Sequence, residues 1–376
     1  MSATVHIKPQ MLSWAMNRAN KTVDDLIKAL PKLPDWLEEK SQPTVKQLET
    51  FSKKVYLPFG YLFLTEPPKE KVPFPYFRQG SKMDNNQVSI NVFDTILSIQ
   101  QRQQWLSDYL EAEGQAPLSF VGKYDTNTDV NVIVADIRKT LKLPVNWANE
   151  VKTYDDAVHK LIDQVEEAGV IVVVNGIVGN NTRRRIDAEE CRGFVSVNDY
   201  APFLFVNNTD AEAGKMFTLV HELAHVWLGK SAGFDNNKML PANDPVERLC
   251  DKVAAEFLVP GIAFENVWQR SQNFDVLAKT FKVSTLVIAR RALDLGKMTK
   301  SAFFSWYNEW LWQWEAKKNK KDGGGDFYNN QPNRVSRRFA ALVEKAVQDE
   351  KLSYRDAYRL TGLFGDTYHN FIKSKL

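Results

Sequence analysis

The chain has 376 residues, 44% hydrophobic and 25% charged, a balance that suits folded globular domains and is too apolar for a disordered chain. Its 49 Lys and Arg nearly cancel 46 Asp and Glu, leaving a formal charge of +3, which excludes a molecule coated in positive charge for nucleic acid but not a local basic patch. Two cysteines, Cys191 and Cys250, exclude both a disulfide framework and a Cys-rich zinc module.

In chain order, residues 7–64 read as four or five short helices. Met11, Leu12, Trp14 and Ala15 recur at helical spacing, Thr22 with Asp25 signals a helix start, and Pro43-Thr44 opens a helix with Leu48, Phe51 and Val55 on one face. Such a series suits a helix-turn-helix bundle. Prolines 67, 68, 73 and 75 mark an extended linker. Helices are expected over residues 86–113, 129–141 and 154–168. Val170–Val174, a β-branched run between Gly169 and Gly176, reads as a buried strand, and residues 194–197 and 203–206 as two more. The last of these is equally consistent with a buried strand and with an exposed edge that could take up an extended peptide. Helices follow over 211–228, stopped by Gly229, and 245–258, stopped by Pro260.

Residues 275–293 form a helix-turn-helix pattern with Arg290 and Arg291 on its second helix. Trp306, Trp310 and Trp314 then recur every four residues, either packing on a core or anchoring a partner. A Lys- and Gly-rich linker (317–325) precedes a helical tail, and from Glu315 onward 13 basic residues face 8 acidic ones. DNA contact is therefore expected, if anywhere, through residues 275–293 or the basic tail. The polar N-terminus has no apolar signal core, and the apolar stretch at 169–178 falls short of the ~20 residues that span a bilayer. The expected location is the cytoplasm, with no membrane partner.

The chemistry concentrates in His221-Glu222-Leu223-Ala224-His225, which uses two of only five histidines. Positions i and i+4 share a helix face, so both imidazoles can converge on one zinc ion, and Glu222 can act as general base towards the water such an ion activates. The flanking residues are apolar, so the helix is buried, and two buried histidines need polar partners. A third ligand is expected from the next helix. Glu247 and Glu256 are nine residues apart, about 180° around a helix, so both cannot face the ion. Asp251 lies one turn after Glu247 and could orient a ligand histidine, which favours Glu247. Glu256 offers no such local partner, and Cys250 reads as core.

Residues 217–228 (FTLVHELAHVWL) and 247–260 (ERLCDKVAAEFLVP) resemble the ImmA/IrrE family of zinc metallo-endopeptidases, small gluzincin-like enzymes. Residues 7–14, Trp36, 43–48, 58–68 and 73–78 are similar to members with an N-terminal Xre-like helical domain, and 323–328 and 339–362 to the tails of long members. The resemblance implies an α+β, mostly helical chain whose peptidase core of three or more strands plus a zinc helix is flanked by helix-turn-helix-like modules. The expected divisions are an Xre-like domain (1–66), linker and long helix (67–118), zinc peptidase (119–265), helix-turn-helix-like and Trp-rich segment (266–316) and C-terminal module (317–376). By resemblance His221, His225 and Glu247 hold Zn2+, Glu222 is catalytic, and the substrate is a cognate Xre-type repressor or antitoxin of a mobile-element, toxin-antitoxin or stress system. The rival expectation is a DNA-binding regulator, or an antitoxin that neutralises a partner toxin by contact, with zinc serving structure.

Overall fold

A computed structural model describes residues 4–73, 76–77, 88–234, 244–318 and 332–375. The chain divides into two units, residues 1–73 with 86–93, and residues 74–85 with 94–376.

The first unit is built from α1 (Pro9–Arg18), α2 (Val23–Ile27), α3 (Leu33–Leu37) and α4 (Val45–Lys54), followed by a 3-10 turn at Phe59–Phe63. Thr22 with Asp25, and Thr44 with Gln47, form reciprocal capping boxes that satisfy backbone N–H groups at the starts of α2 and α4. Met11, Leu12, Trp36, Leu48 and Phe51 pack into a core of their own. The proline-rich segment is tied down by Glu70, which accepts from Arg18 Nε at 2.7 Å.

The second unit contains β1 (Tyr76–Phe77), most of α5 (Ile90–Ala112), α6 (Val130–Thr140), α7 (Tyr154–Glu167), β2 (Ile171–Val174), a hairpin of β3 (Ile177–Val178) and β4 (Asn181–Arg185), β5 (Gly193–Ser196), β6 (Phe203–Val206), α8 (Glu212–Leu228) and β7 (Ala232–Phe234). It continues with α9 (Pro245–Leu258), α10 (Gly261–Trp268), α11 (Phe274–Phe281), α12 (Thr285–Asp294), α13 (Lys300–Lys318), α14 (Arg337–Gln348), α15 (Tyr354–Thr361) and α16 (Asp366–Lys375). The fold is α+β and mostly helical. Its sheet runs β1-β7-β5-β6-β2, with β5 antiparallel to both neighbours and the pairs β1/β7 and β2/β6 parallel.

Between its two strand readings, β6 takes the buried one: it pairs on both sides and every residue is buried. Phe203 and Phe205 fill their environment too completely for a docking edge. Against the sheet lies α8, buried continuously from Lys215 to Leu228.

The pair α11–α12 contributes Leu277, Phe281, Val287 and Ile288 to the same core as α8 and α9. Arg291, expected on a reading face, is instead buried: its Nε donates to the Val259 carbonyl at 2.9 Å and its guanidinium pairs with Glu256. Arg290 pairs with Asp294 at 3.2 Å. Trp306 and Trp310 pack with Phe303 and Tyr307 against Leu286 and Ala289, while the Trp314 side chain lies outside the described residues, as does most of the 317–325 linker. No helix among the described residues is long and apolar enough to cross a membrane.

Candidate metal centre

Two helices and one strand build the centre. The end of α8 is set by Gly229, whose φ of 65° is the left-handed cap conformation; a Cβ there would stand 2.9 Å from the Gly122 Cα. The cap lets Lys230 N–H donate to the His225 carbonyl, so the helix closes one turn after its second histidine. The start of α9 is set by Asp244, whose carboxylate accepts from the Val246 N–H at 2.8 Å and the Glu247 N–H at 3.3 Å, with Pro245 in the first turn. Glu247 therefore sits in a capped first turn, where the helix dipole also favours its charge.

The structure brings His221, His225 and Glu247 together. His221 Nε2 lies 3.1 Å from Glu247 Oε2, His225 Nε2 lies 3.1 Å from Glu247 Oε1, and the two Nε2 atoms are 3.3 Å apart. All three residues are buried. On the other side of its ring, His221 Nδ1 lies 3.0 Å from Asp251 Oδ1. A proton held there by Asp251 leaves the Nε2 lone pair directed at the centre.

The donor set fits zinc. Two imidazole nitrogens and a carboxylate are ligands that zinc accepts, and their separations approach the roughly 3.3 Å edge of a tetrahedron of ligands ~2.0–2.1 Å from the ion. The electrostatics point the same way. Burial works against a charged His221, but Asp251 and Glu247 outweigh it and raise its pKa, so these carboxylates favour positive charge at this buried position. Burial raises Glu247, and the flanking His221 and His225 more than reverse this, holding it well below the usual carboxylate range.

Glu222 differs from these neighbours. It is 0% exposed, and neither carboxylate oxygen has a hydrogen-bond partner among the described residues. Burial, with the nearby Glu247 charge, pushes its pKa well above the ordinary value, and His221 only partly opposes this. It lies over Gly193 of β5, where a Cβ would come within 2.6 Å of Thr218 Cγ2, 2.9 Å of the Phe205 carbonyl and 3.3 Å of Glu222 Oε1. Gly193 thus permits the close approach of α8 to the sheet. The sequence reading did not single it out; a glycine opening an apolar strand was the available signal.

Glu256 stays outside the donor cluster. It pairs with Arg291 and accepts from the Gly261 N–H at 3.1 Å, away from the histidines. Cys250 is fully buried beside the centre, its thiol pushed well up by burial, and does not join the donor cluster.

Comparison with known proteins gives two family matches. Residues 166–293 match the IrrE N-terminal-like domain (Peptidase_M78), a span that begins in α7 and includes the sheet strands β2, β5, β6 and β7, both donor helices and nearly all of α12. Residues 335–374 match a domain of unknown function, DUF8813. No curated protein and no solved structure matches significantly. The first match supports a metallopeptidase-like function, which the donor cluster suits chemically. Residues 166–293 thus carry an IrrE N-terminal-like domain, which supports the resemblance to the ImmA/IrrE family.

Proposed function

We propose that this protein is a zinc-dependent endopeptidase that hydrolyses a peptide bond in a cognate regulatory protein, an Xre-type repressor or an antitoxin. The observation that carries this reading is the convergence of His221, His225 and Glu247 on one point beside a buried Glu222 carboxylate without a hydrogen-bond partner. Buried polar atoms are almost always satisfied, so such a carboxylate marks a place prepared for chemistry.

In this reading His221, His225 and Glu247 hold the ion, and Asp251 fixes the His221 tautomer from behind. A zinc ion there supplies Lewis-acid activation of the attacking water and the scissile carbonyl. Glu222 accepts the water's proton at a carboxylate oxygen and returns it to the leaving amine. Its raised pKa suits that exchange, because a base working near neutrality needs an affinity for protons near that of its surroundings. The flanking helical modules are read as docking or scaffold elements; with Arg291 turned inward, only Arg290 of the two α12 arginines remains near solvent for DNA.

The test is to load the purified full chain with zinc, measure metal stoichiometry, and incubate it with candidate repressors encoded beside it. Mass spectrometry should find one specific cut, absent with Glu222→Gln. A chain without stoichiometric metal, or a cut that persists in the variant, sinks the proposal. If Glu222→Gln regulates as well as wild type, the contact-based regulator takes its place.

A further inference from the structure

Behind the donor cluster, between α6, α8, α9 and α12, lies a cavity of about 440 Å3. That is within the roughly 300–1,000 Å3 of ligand pockets. Its inner wall includes Phe217, Val287, Val130 and Ala255, with Phe217 and Val287 buried. Asp251 also lines it. Because Asp251 faces Nδ1 of His221 while the donors gather at Nε2, the cavity meets the centre from the back of the imidazole ring. It is therefore separate from the point where a scissile bond would lie.

The charges around the cavity are not evenly matched. Arg290 is paired with Asp294, Arg291 with Glu256, and Asp251 with His221. Arg248 and Lys252 remain, both exposed and one helical turn apart on α9. Neither has an ion-pair or hydrogen-bond partner among the described residues. The cavity thus offers an apolar interior and two uncompensated cations on the same lining. From this we infer that it binds a small amphipathic anion, with an aromatic or aliphatic body against Phe217 and Val287 and an acidic head group between Arg248 and Lys252. Apolar burial supplies affinity, and the cations select the charged head.

Occupancy of this cavity is read by binding alone, independently of catalysis. The probe is 8-anilinonaphthalene-1-sulfonate, titrated by fluorescence and calorimetry into the folded full chain. N-phenyl-1-naphthylamine, the same body without the sulfonate, is the neutral control. The sulfonate should bind saturably at one site and more tightly than the control. A double variant, Arg248→Gln with Lys252→Gln, should weaken the sulfonate about tenfold or more and leave the control unchanged. Ala255→Trp, which fills the cavity, should abolish both. Equal binding of the two probes, sulfonate affinity unchanged in the double variant, or multiple sites insensitive to the substitutions would overturn the assignment. Arg248 and Lys252 are exposed, so the double variant tests it even if Ala255→Trp does not fold.

Discussion

Glu222 and Glu166 are both buried glutamates in the second unit, and burial raises the pKa of each. Their surroundings are opposite. Glu166, at the end of α7, accepts from the Ser336 hydroxyl and from the Arg338 N–H at 3.3 Å, at the start of α14. Ser336 in turn caps α14 by accepting from the Phe339 N–H at 3.1 Å. Glu166 is thus a structural clamp on a helix N-terminus, its cost of burial offset by donors. Glu222 is more completely enclosed and has no donor among the described residues. Burial alone therefore does not distinguish the two carboxylates; the presence or absence of donors does.

Substitutions at and around both glutamates test that contrast. The largest effect is expected from Glu222→Gln, which should lower the rate of the specific cut by about 10²–10⁴-fold, the usual contribution of a general base. Its thermal midpoint should stay level or rise, since a buried charge is removed; a marked fall would make Glu222 a structural residue like Glu166. Asp251→Asn should weaken zinc affinity about 10–100-fold in a competition titration with a fluorescent chelator, the fold remaining intact by circular dichroism. An unchanged affinity would mean that His221 is oriented by something else.

A smaller effect is expected at the clamp. Glu166→Ala should cost about 1–3 kcal/mol in denaturant unfolding by orphaning the Ser336 and Arg338 donors, with zinc content unchanged. The smallest is a pH effect. The Glu166 pKa is raised in the folded state above its ordinary value near 4.5, so its contribution is fully present below that value and fades as pH rises through the folded pKa. Lowering the pH through that window should therefore stabilise wild type relative to Glu166→Gln. A gap between the two that does not change with pH would show the carboxylate to be unperturbed.

The sequence made the donor helices legible because their signals are local. His221 and His225 lie one turn apart, as do Glu247 and Asp251, and the Thr22 and Thr44 boxes span three residues. What it concealed depends on distant partners. The two-residue β1 and three-residue β7 are too short for any periodicity and exist through their mutual pairing and that of β7 with β5. The burial of β6 depends on strands on both sides, which an apolar run cannot reveal. The pairing of Glu256 with Arg291 spans 35 residues. The same long-range pair turned an arginine expected at a surface into part of the interior.

The complete burial of His221, Glu222 and His225 has a kinetic consequence. If the centre acts as proposed, ion, water and peptide must first gain access through a local opening of the surrounding structure. Every apparent rate at the centre then contains the opening equilibrium as a factor, including loss of metal to a chelator. Under the proposed function, substitutions that loosen the cover without touching the donors would raise turnover and shorten metal residence time together. Such a protein would be tuned as much by the stability of its enclosure as by the chemistry inside it.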